Sequence, residues 1–187
     1  MTPIKATLLC AALAGCAGLP TGGRPIVVSQ ADDRAVPPGA ALPFGEIGTT
    51  CGLAPAQMGT AVARASGYTI YDSAAGSTVP RTHYLTGFAD GCARQFTAAL
   101  VLTGDVGTHE VVRYAGAPRP YSRTDTAYET IKAAACVVPS GQPCGARIDA
   151  LARRTVFVTA YPQFSDSREW TEVLLHEGEV AAIGTES

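Results

Sequence analysis

Beyond Gly67 the apolar side chains of this chain recur with a period of two, and that alternation limits what it can fold into more than any other feature. Runs over residues 68–72, 83–88 and 94–103 read as strands. In the third, Phe96, Ala98, Leu100 and Leu102 share one face, with Gln95 and Thr97 opposite. Asp90-Gly91 separates the second run from the third, and an Asp-Gly pair flanked by apolar alternation marks a hairpin. Residues 104–107 turn the chain into a further run over 108–114, so three or four strands in succession predict an antiparallel meander. Residues 155–161, β-branched and aromatic, add a strand. Residues 170–183 fit a hairpin tipped by Glu177-Gly178, because apolar residues resume at once from Val180.

Helical spacing occupies the stretches between. Pro55 suits a first helical turn, and Met58, Val62 and Ala65 share a face, which predicts a helix over 55–66 closed by Gly67. A Pro-bearing loop over 115–123 precedes a helix running from Asp125 or Thr126 to Cys136, with Thr126-x-x-Glu129 as a capping box and Tyr128, Ile131 and Ala135 on one stripe. Cys144, Ile148 and Leu151 place a short helix over 144–153. The expected class is therefore α+β: an antiparallel β-meander sheet packed with about three short helices.

The N-terminus carries an address. Lys5 supplies a positive region, residues 6–13 a short apolar core, and Ala14-Gly15 small residues at a cleavage point, the parts of a secretory signal. This apolar core is too short to span a bilayer, which takes about 20 residues. Leu13-Ala14-Gly15-Cys16 closely resembles the lipobox of bacterial lipoproteins. That resemblance implies cleavage before Cys16 and lipidation of Cys16, with three acyl chains; since stable anchoring takes two signals, three hold firmly. Ala17 in place of Asp implies, by the same resemblance, the outer membrane facing the periplasm. The expected organisation is a signal peptide over 1–15, a lipidated Cys16 with a Pro/Gly-rich tether over 16–44 (one short strand at 26–29 within it), and a periplasmic domain over 45–187. Thirty flexible residues reach about 30 Å.

Four cysteines remain for the domain: Cys51, Cys92, Cys136 and Cys144. An even set in an exported chain points to disulfides, and no C-x-x-C is present to suggest a redox or zinc motif. Four cysteines allow three pairings. Cys136 ends one predicted helix and Cys144 opens the next, so the two meet at the neck of a helical hairpin. That geometry selects Cys136–Cys144 and leaves Cys51–Cys92.

Composition excludes one class of partner. Without residues 1–15 the chain has 13 basic and 16 acidic side chains, whereas a nucleic-acid surface is strongly basic. Chemistry-bearing residues are sparse. His176-Glu177-Gly178-Glu179 has metal-ligand types but sits at a predicted turn. His109 and Glu110, adjacent on a predicted strand, would face opposite ways. His83 alternates with Leu85 as a sheet histidine does, and a histidine with Asp72, Asp90 or Asp105 offers an acid–base pair. Arg153-Arg154 suits an anionic polymer or a helix C-terminus. No nucleophile elbow, phosphate loop, H-E-x-x-H or cofactor motif occurs. The stretch over residues 86–100, TGFADGCARQFTAAL, resembles a segment of uncharacterised bacterial lipoproteins, a likeness that implies no activity. The expectation is a lipid-anchored envelope protein, without cofactor, metal or nucleic acid, that binds or supports an envelope protein or cell-wall component. The alternative is a small periplasmic hydrolase using a His/Asp pair.

Overall fold

The computed structural model describes residues 34–165 and 167–187. Among these residues the chain forms two antiparallel sheets and three α-helices, an α+β fold with two disulfides. The lipobox, Cys16 and the strand expected at 26–29 lie outside the described residues. The first sheet contains β1 (Gly48–Thr50), β2 (Thr60–Ala65), β3 (Tyr68–Asp72), β4 (Arg81–Thr86) and β5 (Ala93–Ala98), in the order β1-β5-β4-β3-β2. The second is a meander of β6 (Leu100–Gly104), β7 (Thr155–Tyr161), β8 (Trp170–His176) and β9 (Glu179–Glu186). Helices α1 (Val106–Tyr114), α2 (Arg123–Cys136) and α3 (Ile148–Ala152) cover the far side of the second sheet.

The layers follow from strand alternation. Ile70, Leu85, Phe96 and Ala98 of the first sheet meet Val156, Val158, Val173, Leu175, Val180 and Ile183 of the second in one apolar core. The opposite faces of β7, β8 and β9 present Phe157, Leu174 and Ala182 to Val106, Tyr128, Ile131 and Leu151 of the helices. The second sheet is thus sandwiched between strands and helices, which makes it the scaffold on which side chains from three helices are placed.

Several expectations need correction. Residues 94–103 are not one strand but two, split at the fully buried Ala99, where the chain leaves one sheet for the other. The Ala99 N–H donates to the Tyr161 carbonyl and its own carbonyl accepts from Arg81. The helix expected over 55–66 is a 3-10 turn at Pro55–Gln57 followed by β2. Gly59 decides this: its φ is +94°, and a Cβ there would stand 2.2 Å from the Asp72 carbonyl oxygen, so the chain turns tightly into pairing with β3. The strand expected over 108–114 is helix α1, capped by Asp105, whose carboxylate accepts from Thr108 N–H at 2.8 Å. The capping box of α2 is Ser122 with Asp125, one turn before the predicted Thr126 and Glu129. Residues 34–44, placed in the tether by composition, pack on the first sheet: Val36 and Leu42 are buried, and Gln95 binds the carbonyls of Pro37 and Ala40 and the N–H of Gly39.

The disulfides join Cys51 to Cys92 and Cys136 to Cys144. The first continues the β1–β5 register by one pair, with a Cα–Cα distance of 4.4 Å. The second closes the neck between α2 and α3. Closing loops of these lengths stabilises by about 4 and about 2.5 kcal/mol on the chain-entropy model. The β8–β9 turn is tipped by Glu177 and Gly178, both at positive φ, as a two-residue type I′ turn requires.

Candidate functional site

A cleft of about 350 Å³ opens on the helix side of the second sheet, where α1 and α2 leave the outer half of the strands uncovered. Its floor is built by alternation: Phe157, Thr159 and Tyr161 from β7, Trp170 and Glu172 from β8, and Glu186 from β9 all face the same way. Its walls are the N-terminal turns of α1 and α2, with Asp105, His109 and Asp125, and the loop carrying Arg119.

His109 marks the buried end. Its ring stacks on Phe157, with centroids 4.1 Å apart, and meets Tyr128 edge-on at 4.7 Å. Its Nε2 is buried and, among the described residues, has no hydrogen-bond partner, although Asp125 Oδ1 lies 3.4 Å away. Burial drives the imidazole pKa down to about 4; the Asp125 charge opposes this, and Arg119 and Arg113 add to it. His109 is therefore neutral at pH 7, and its approach to Asp125 is not an ion pair there. Asp125 is already engaged: it accepts from the Ser122 N–H and lies 3.4 Å from the Arg113 guanidinium.

Glu172 stands on the cleft floor. Burial raises its pKa; the Thr124 hydroxyl, which donates to it, opposes this, and the charges of Asp125 and Glu186 push it further up. A carboxyl in a cleft whose proton affinity is raised first by burial and then by neighbouring carboxylates is a candidate functional group. Trp170 lies directly across from Glu186 in the β8–β9 register.

The histidines singled out in the sequence are dispersed. His83 does meet Asp72, at 3.5 Å, but between the sheets: Arg81 grips both Asp72 oxygens, His83 is 1% exposed, and its ring stacks on Phe96. Burial lowers the His83 pKa, so this is a sealed structural cluster. His176 hydrogen-bonds Thr155, and Glu177, whose other oxygen lies 3.7 Å from His176 Nε2, pairs with Arg154, so the turn forms a local polar cluster. No metal-binding group of three or more such side chains occurs among the described residues. Asp90 pairs with Arg94. Arg153 is the C-cap residue of α3.

Adjacent Glu110 and His109 were expected on opposite strand faces; on α1 they serve different neighbours. Glu110 accepts from Tyr128 and from the Cys144 N–H, behind the cleft. Sequence reasoning missed the cleft's Asp125, Glu172, Glu186, Trp170 and Arg119 as a set, because they come from separate elements with no shared spacing. The one available signal was Glu172 two residues after Trp170 on a predicted strand, which puts a carboxylate and an aromatic ring on one face. Comparison of the chain with protein-family models, curated proteins and solved structures gives no match.

Proposed function

We propose that this protein is a lipid-anchored cell-envelope module whose domain binds a small polar ligand, or one unit of an envelope polymer, in the cleft over β7, β8 and β9. The observation that carries the binding reading is the lining: aromatic Trp170, Tyr161 and Phe157 beside a few inward polar groups, Glu172, Glu186, Thr159 and Arg119, the composition of small-ligand sites. The lipobox sequence supports the anchor at Cys16, with Ala17 favouring the outer membrane and a domain facing the periplasm. No helix among the described residues is long and apolar enough to cross a membrane.

A hydrolase is the second reading, favoured by His109 and Asp125 meeting in the cleft. It ranks lower because a general base works best with a pKa near the working pH. His109, at about 4, lies well below that.

Trp170 is the chain's one tryptophan, so its fluorescence reports on the cleft. Detergent-solubilised full-length protein is expected to change Trp170 emission on titration with soluble envelope fragments; a flat response to them all removes the binding reading. In cells, Cys16→Ala is expected to move the protein out of the membrane fraction, and its retention there removes the lipid anchor.

A further inference from the structure

The charges lining the cleft are not equal in what they already bind. Asp105 caps α1 through Thr108, and its second oxygen takes the Thr108 hydroxyl. Asp125 caps α2 and faces Arg113. Both helix N-termini, which ordinarily attract anions, are thus satisfied by the chain's own carboxylates. Two acids are left over on the floor, Glu172 and Glu186, on neighbouring strands and the same face, two positions apart in register. Such diagonal side chains come within reach of one another. Glu172 spends one oxygen on Thr124. Among the described residues, the leading charges acting on it are Asp125, itself facing Arg113, and Glu186, which raise its proton affinity, and Arg119, which lowers it.

Two further observations point to a ligand. Trp170 and Tyr161 line the cleft on the same sheet face as these carboxylates, and aromatic rings beside carboxylates suit a cation. At the buried end, the side chain of His109 is 9% exposed and its Nε2 has no partner among the described residues, a polar group left unsatisfied at the wall of a cavity.

We infer that the cleft takes a ligand bearing an organic ammonium group, held between Glu172 and Glu186 against Trp170, with Arg119 lining the opposite wall. This rests on the cleft being a binding site at all. The same carboxylates disfavour an anionic ligand, whose charge would add to an unbalanced acidic pair in a partly desolvated site. An ammonium in that place relieves the repulsion that raises Glu172, so binding releases a proton wherever Glu172 is protonated in the free protein.

The test titrates full-length protein in detergent, by calorimetry, with three probes of different charge: putrescine, N-acetylglucosamine and acetate. Putrescine is expected to bind, and Glu172→Gln and Glu186→Gln, which keep side-chain shape, are each expected to weaken it by about tenfold. Glu179→Gln, exposed at the far end of β9, is expected to leave it unchanged; an equal loss there shows diffuse attraction to an acidic protein and overturns the site. Binding of N-acetylglucosamine or acetate instead, abolished by Trp170→Ala, overturns the ammonium while the cleft reading survives. Binding of none of the three overturns the ammonium, and the cleft reading then stands or falls on the Trp170 emission titration. Melting curves of each variant separate lost binding from lost fold.

Discussion

Lys132 is one of two lysines in the chain, and its side chain is fully buried. Its Nζ donates to Glu129 at 2.8 Å and to the Tyr114 hydroxyl, which itself donates to Glu129. Glu129 also accepts from the Gly141 N–H, tying α2 to the loop before Cys144. Burial alone would raise the Glu129 pKa, but the hydrogen bonds from Lys132, Tyr114 and Gly141 pull it down to about 2. Glu129→Gln leaves the buried ammonium uncompensated and is expected to cost about 3–5 kcal/mol in chemical denaturation, with Glu129→Gln/Lys132→Met recovering much of the loss. The folded pKa lies below the unfolded one, so this stabilisation is complete above about pH 4.5 and is lost as pH falls from there towards 2. Denaturation midpoints of wild type and Glu129→Gln should therefore converge in acid; a constant gap down to pH 2 would show that the network does not titrate.

At the scale of elements, α1 and α2 show why helices over the cleft were unequally legible. The stripe of α2 is apolar where it meets the sheet, at Tyr128 and Ile131, and the sequence reading placed the helix within a few residues. The inward face of α1 is Val106, Glu110 and Arg113, while Val111 and Val112 are 66% and 55% exposed. Its hydrophobic pattern is inverted, and a β-branched run with charges between reads as a strand. Only tertiary partners (Tyr128 and Cys144 for Glu110, the carbonyls of Arg119 and Pro120 for Arg113) make those charges acceptable inside. α2 itself ends on Val137 at φ 58°, left-handed backbone that a β-branched residue rarely adopts, with the side chain exposed. Val137→Gly is expected to stabilise by about 0.5–1 kcal/mol, read as a raised melting temperature. A lowered one would mean that the Val137 side chain has packing that outweighs its backbone strain.

Across the whole molecule, the two sheets are joined at Ala99 and again where the Gly178 N–H donates to the Tyr68 hydroxyl and the Ala89 N–H to the Gly178 carbonyl. The outer face of the first sheet is closed by residues 34–44 through Gln95, which is fully buried and serves three backbone groups. Gln95→Leu strands those groups and is expected to cost about 2 kcal/mol and to open the stretch before Glu46 to limited proteolysis. An unchanged cleavage pattern would show that Val36 and Leu42 hold it without Gln95. This closure went unforeseen because Pro and Gly spacing reports local backbone freedom, whereas the docking depends on Gln95 and Thr97, more than fifty residues away, and on backbone bonds to Thr49.

The sequence by itself determined the class of the fold, both disulfide partners, the β8–β9 hairpin and the meander logic, because these rest on local periodicity, turn chemistry and helix ends. The tertiary structure alone decided that residues 94–103 divide between two sheets, that residues 106–114 are helical, and that Asp125, Glu172, Glu186 and Trp170 share a cleft with His109. The physical reason is common to all three: each depends on charges, hydrogen bonds or close approaches between residues far apart in the chain, and these leave no trace in the spacing of neighbours.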